Sequence, residues 1–101
     1  MEDGDVVEQV LREVSRRSLF GTRAISLGED FAIVVTRDWQ EPGQDVTDQV
    51  KLTLTFTGPA TRHDVLELKC DGMLEVMANT AKLIEDRKKL RWNRRKEKWT
   101  F

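Results

Sequence analysis

Residues 50–57, Val-Lys-Leu-Thr-Leu-Thr-Phe-Thr, alternate apolar and polar side chains without a break. A period of two puts Val50, Leu52, Leu54 and Phe56 on one side of an extended strand and Lys51, Thr53, Thr55 and Thr57 on the other. Such a strand cannot pair its own edges or hide its apolar face alone. The chain must therefore build a sheet and pack something against it. The threonine side reads as surface, because β-branched residues suit exposed strand faces.

Two more strands precede it. Ile25 and Leu27 alternate with Ala24 and Ser26, Gly28-Glu29-Asp30 supplies a turn, and Phe31, Ile33 and Val35 alternate with Ala32, Val34 and Thr36. This is a hairpin pattern. Its second strand is apolar on both faces, which predicts a central place covered by a helix on one side and in part on the other. Residues 38–46, with Pro42-Gly43, read as a loop carrying Trp39 and the acids Asp38, Glu41 and Asp45, with Asp48 close behind.

The cover comes from helices. Asp5 and Glu8 have capping-box spacing ahead of Val6, Val7, Val10, Leu11 and Val14, so a short amphipathic helix is expected from residue 5 to about 19. Residues 61–72 admit two readings. Val65 to Cys70 fits a fourth strand, with Asp71-Gly72 as a turn. Against that, Thr61 and Asp64 repeat the capping-box spacing, and Leu66, Cys70, Met73, Met77, Ala81 and Ile84 recur at steps of three and four. The helix is the favoured reading, about 27 Å from residue 66 to 84 at 1.5 Å per residue. Val76, Leu83 and Leu90 form a second stripe beside it. That apolar surface exceeds what three strands cover, so a homodimer through the long helix is one expectation.

The expected fold is therefore α+β, a two-layer sandwich of helix, three antiparallel strands and long helix, with a fourth strand at about 65–70 as the alternative. At 101 residues the chain forms one domain, placed at 1–90, followed by a basic, Trp-containing extension at 91–101. The helix, three strands, helix order resembles that of double-stranded RNA-binding domains and of small bacterial nucleoid-associated dimers. In the former, a basic cluster opens the last helix. Here that start reads Thr61-Arg62-His63-Asp64, and the basic cluster lies at the other end.

Charge is divided along the chain. Residues 1–50 hold five Arg against eleven Asp and Glu, a net −6, whereas residues 51–101 hold twelve Lys and Arg against seven acids, a net +5. Eight of the twelve residues 87–98 are cationic and only Glu97 is acidic. A helix continued through them would turn its core face cationic, so it must leave the core there. Trp92, Trp99 and Phe101 punctuate the run. One reading is a solvated terminus whose tryptophans fold back on the domain edge. The others make it a binding segment, in which Arg87, Lys88, Lys89, Arg91, Trp92, Arg94, Arg95, Lys96, Lys98 and Trp99 engage a partner. Trp and Arg favour a protein interface, with an acidic surface as counterpart. Nucleic acid is the alternative, the cations meeting phosphates and the indoles stacking on bases.

No catalytic constellation is found. His63 is the only histidine and reads as a surface or capping residue. Cys70 reads as a small buried hydrophobe, and its pairing with His63 on one helix is the sole remaining dyad. The loop acids do not match a calcium-loop spacing. The expectation is a non-enzymatic interaction or adaptor protein with no cofactor and no metal. A single cysteine, an acidic amino terminus and no long apolar run further predict a soluble, intracellular protein, cytoplasmic or nuclear, without membrane contact.

Overall fold

The computed structural model describes residues 3–15, 21–37, 48–58 and 62–101. The predicted loop at 38–46, with Trp39, and the last predicted turn of the first helix lie outside the described residues. The element order is α1 (Asp3–Ser15), β1 (Gly21–Leu27), β2 (Phe31–Arg37), β3 (Asp48–Thr57), β4 (Arg62–Asp71), α2 (Met73–Lys89), β5 (Arg91–Asn93) and β6 (Lys98–Thr100). Among the described residues the fold is α+β: two helices, a four-stranded antiparallel sheet in the order β1-β2-β3-β4, and a separate two-stranded sheet of β5 and β6.

α1 starts two residues ahead of the expected cap, so Asp5 lies in its first turn, where a carboxylate still complements the helix dipole. Val6, Val10 and Val14, spaced by four, are buried. The predicted hairpin is present: Gly28 turns with φ 74°, and β1 pairs with β2 from Gly21 opposite Arg37 to Leu27 opposite Phe31.

Register aligns the core in rows. Ile25, Ile33, Leu54 and Leu66 stand side by side across all four strands. One row over stand Leu27, Phe31, Phe56 and His63. Val6, Val10 and Val14 of α1 and Val76, Leu83 and Ile84 of α2 join Ile33, Val35, Leu52 and Leu54 in a single buried cluster. At the far end of the sheet Arg37 is buried and its guanidinium donates to the Val14 carbonyl, a cation at the carboxyl end of α1.

Two expectations are corrected. Residues 62–71 are a strand, β4, and the long helix begins only at Met73, so the sheet has four strands rather than three. The reason is Gly72, whose φ of 92° and ψ of 170° suit glycine and break any helix running through it. Leu66, Leu68 and Cys70 instead alternate, facing Leu54, Leu52 and Val50. The shared element order with double-stranded RNA-binding domains is lost with this strand. The threonine side of β3 is the second correction: Thr53 and Thr55 are buried, as are Ala32 and Val34 beside them, so that side of the central strands is not a solvated surface.

α2 then buries the stripe of Val76, Thr80, Leu83 and Ile84. The steps through Met73, Met77 and Ala81 were the weaker register. Met77 is 46% and Leu74 83% exposed, which leaves an apolar strip on the outside of the helix. The junction is fastened by the Glu75 carboxylate, which accepts from the Asp71 N–H, and by the Asn79 amide, which donates to the Lys69 carbonyl and to Cys70 Sγ, each at 3.2 Å. Among the described residues no helix is long and apolar enough to cross a membrane.

Candidate basic and aromatic hairpin site

The basic segment is not a continuation of α2. Leu90 turns extended, with φ −69° and ψ 141°, while its N–H still caps the Asp86 and Arg87 carbonyls and its side chain enters the core. The chain then doubles back as a hairpin: Arg91 pairs with Thr100, Trp92 with Trp99 and Asn93 with Lys98. Asn93 Oδ1 accepts from the Lys96 N–H at 3.0 Å, the local bond that makes Asn a good turn opener. Glu97 closes the turn with φ 51°, in the left-handed region. Trp92 and Trp99, which a continued helix would stack seven residues apart, instead meet edge-on across the strands, centroids 5.7 Å apart. Such a pair contributes about 1 kcal/mol beyond its buried area.

The two indoles have different surroundings. Trp99 lies 5.0 Å from the Phe31 ring and 5.3 Å from the Phe56 ring, docked on the end of the core row. Arg87, on the last turn of α2, stacks over Phe31 at 4.1 Å and reaches Trp99 at 5.9 Å. These two predicted contact residues therefore hold the hairpin to the domain. Trp92 remains 44% exposed.

His63 belongs to this cluster, which the sequence did not suggest. Between Leu54 and Thr55 the β3–β4 register slips by one: Leu54 faces Leu66, but Thr55 faces Asp64 and Phe56 faces His63. Without that bulge His63 would point to the other face. With it, the imidazole lies 5.4 Å from the Phe56 ring and 6.4 Å from the Trp92 ring, and Asp64 takes a hydrogen bond from Thr55 Oγ1 at 3.0 Å. Nε2 of His63 and Nε1 of Trp99 are buried with no hydrogen-bond partner among the described residues. His63 is thus neither a helix cap nor a neighbour of Cys70, which lies seven positions along the same strand, on the order of 20 Å away.

His63, Trp92, Arg94 and Glu97 line an open groove of about 340 Å³ beside the turn. Arg94, Arg95 and Lys96 in the turn, Lys98 next to it and Arg91 at the base of the hairpin are exposed, and among the described residues no ion pair neutralises Arg94, Arg95, Lys96 or Lys98. Arg91 donates to the Lys88 and Leu90 carbonyls at 3.1 and 2.9 Å, which stiffens the helix-to-hairpin corner. Lys88 bonds Glu85 at 3.3 Å, and Lys89 is exposed on α2. Of the ten residues singled out from the sequence, the four cations Arg94, Arg95, Lys96 and Lys98 stand at or beside the turn, Trp92 lies near it on β5, and Arg91 sits at the other end of the hairpin. Arg87 and Trp99 act as its anchor, and Lys88 and Lys89 flank it on the helix. Glu97 was visible in the sequence only as the lone acid of the run. The arrangement can attract an anion, stack a flat ring on Trp92, and accept hydrogen bonds at one carboxylate. Among the described residues no group of three or more His, Cys, Asp or Glu is placed to hold a metal ion. Comparison with protein-family models, with curated proteins and with solved structures returned no match.

Proposed function

We propose that this chain is a non-enzymatic nucleic-acid-binding protein that grips a single strand with its carboxyl-terminal hairpin, carried on a two-layer α+β scaffold. The observation that carries it is the composition of what the hairpin leaves outside. Four cations at or beside the turn, Arg94, Arg95, Lys96 and Lys98, are exposed without an ion pair among the described residues, and Arg94 lines a groove with the half-exposed indole of Trp92, while the second indole is docked on the domain. Protein interfaces are depleted of charge at their centre and seat several aromatic anchors. A surface dominated by Arg and Lys with a single ring suits phosphates and one stacked base better.

The test is fluorescence anisotropy of labelled single-stranded oligonucleotides against the full chain over a salt series. Neutralisation of about four phosphates gives a slope of log affinity against log salt near −3. The double change Arg94→Ala, Arg95→Ala should reduce that slope by about 1.4. A complex indifferent to salt, or no binding of DNA or RNA at low salt, would defeat this reading.

The second reading is a protein contact, either an acidic partner on the same cations or a second copy of the chain through the exposed Leu74 and Met77 of α2. Light scattering on the nuclease-treated protein in the same buffers separates the two. A stable dimer mass lost in Leu74→Glu supports the second copy, and a monomer mass removes it.

A further inference from the structure

Glu97 occupies its position at a double disadvantage. Its φ of 51° lies in the left-handed region, where glycine or asparagine sits at less cost. Its charge also opposes any phosphate drawn in by its four cationic neighbours. Among the described residues its carboxylate has neither ion pair nor hydrogen bond to offset either cost, yet it lines the groove with His63, Trp92 and Arg94. An outlier of this kind points to a role, and the groove supplies the place for one.

Resting on the nucleic-acid reading of the hairpin, we infer that the groove receives one guanine base, with Glu97 as its specificity-determining residue. The stacking surface is the exposed indole of Trp92, since every base offers a π face. The choice among bases falls to the groove's hydrogen-bonding groups. Glu97 offers two acceptor oxygens on one carboxylate, and Arg94 offers guanidinium donors next to it. Guanine presents two adjacent donors, N1–H and the 2-amino group, followed by the O6 acceptor. It alone among the common bases can place two N–H groups on a single carboxylate while its neighbouring oxygen accepts from a cation. Adenine and cytosine each present one amino donor beside a ring acceptor, and uracil presents one donor between two acceptors.

His63 adds a second observation. The imidazole lines the groove, while its Nε2 is turned inward and buried. The bulge in β4 has aimed the ring at the groove rather than away from it. His63 therefore contributes a wall of the groove beside Trp92 rather than a hydrogen bond to the base. The volume of about 340 Å³ lies in the range of small-molecule sites, about 300–1,000 Å³.

The experiment uses the full chain and hexamers of uridine, or of thymidine for the DNA arm, with one central guanine, adenine, cytosine or hypoxanthine. Binding is read by anisotropy at fixed salt for the wild type, Glu97→Gln and Glu97→Gly. The glycine variant keeps the turn, because φ 51° suits it. Expected for the wild type is a guanine hexamer bound about tenfold or more tightly than the adenine and cytosine hexamers. Hypoxanthine, which lacks the 2-amino donor, falls between. In both Glu97 variants the guanine-to-adenine ratio should collapse toward one. Equal affinity for guanine and adenine in the wild type overturns the inference and leaves the hairpin reading standing. So does a ratio that survives both variants. Failure of every hexamer to bind at low salt overturns both. A preference seen in only one of the RNA and DNA arms supports the inference and identifies the source of the base.

Discussion

The thiol of Cys70 is 1% exposed and stands opposite Val50 in the β3–β4 ladder. Burial pushes its pKa above the ordinary 9.0; the hydrogen bond from Asn79 pulls the other way, and the charges of Glu75 and Asp71 push it up further. The folded state thus prefers the neutral thiol. Because the folded value is the higher one, the stabilisation is complete below the unfolded value, near 9, and is lost as pH climbs through the folded value. Two outcomes follow at this scale. Iodoacetamide at pH 8 should label the folded protein at least about a hundredfold more slowly than the urea-unfolded chain, since a buried thiol reacts only through opening. Melting temperature should hold from pH 7 to about 8.5 and fall beyond it, and Cys70→Ala should flatten that alkaline fall. Labelling at the rate of a free thiol would show the site to be open. Thr80 and Arg37 are also buried, and each donates to a backbone carbonyl, of Val76 and Val14 respectively.

At the scale of elements, the junction between β4 and α2 decides the fold, and Gly72 decides the junction. An added Cβ at Gly72 would meet nothing within 4 Å, so the cost of Gly72→Ala is one of backbone conformation alone. At φ 92° and ψ 170° that is about 1–3 kcal/mol, or roughly 4–20 °C in melting temperature. Gly4, inside α1 and equally unhindered, gives the opposite sign: Gly4→Ala should raise stability by a few tenths of a kcal/mol. Equal effects from the two substitutions, measured by thermal melting, would rule out this account of the junction. The same residue explains what could be read in advance. β1, β2 and β3 were legible because their period of two admits no other reading and Gly28 marks the turn. β4 was not, because Leu66 and Cys70 satisfy both a four-residue helical step and an even-numbered strand step, and only the backbone angle at Gly72 separates the two. Every cation of the candidate site was legible from composition. Their hairpin was not, since Trp92 and Trp99 fit one side of a helix as well as a cross-strand pair. His63 was hidden further still, behind a one-residue bulge that appears only when strands are paired.

On the scale of the whole molecule the question is whether the hairpin is an appendage or part of the fold, given that a boundary after Leu90 is what the charge run alone suggests. Trp99 touches Phe31 and Phe56, and Arg87 stacks on Phe31, so the hairpin covers one end of the core row Leu27, Phe31, Phe56 and His63. Gly58 packs the same ring from behind, because a Cβ there would collide with Phe56. Removing residues 91–101 uncovers two phenylalanine rings and strips the partner from one buried edge. That loss is about 3 kcal/mol, comparable to truncating one buried aromatic side chain. A domain of this size has about 5–15 kcal/mol in hand, so the truncated chain should still fold, with a melting temperature lower on the order of 15 °C. Trp99→Ala should reproduce most of that drop, because Trp99 makes the contacts. Trp92→Ala should cost less than Trp99→Ala, about 1–2 kcal/mol, because its indole is 44% exposed and loses chiefly its pairing with Trp99, yet it should weaken oligonucleotide binding by about fivefold or more. The two tryptophans, seven residues apart in sequence, are cross-strand partners, and their substitutions should separate into one that mainly lowers stability and one that mainly lowers affinity. A truncated chain as stable as the full one would make residues 91–101 a true extension. A truncated chain with no cooperative melt would make the hairpin indispensable to the core.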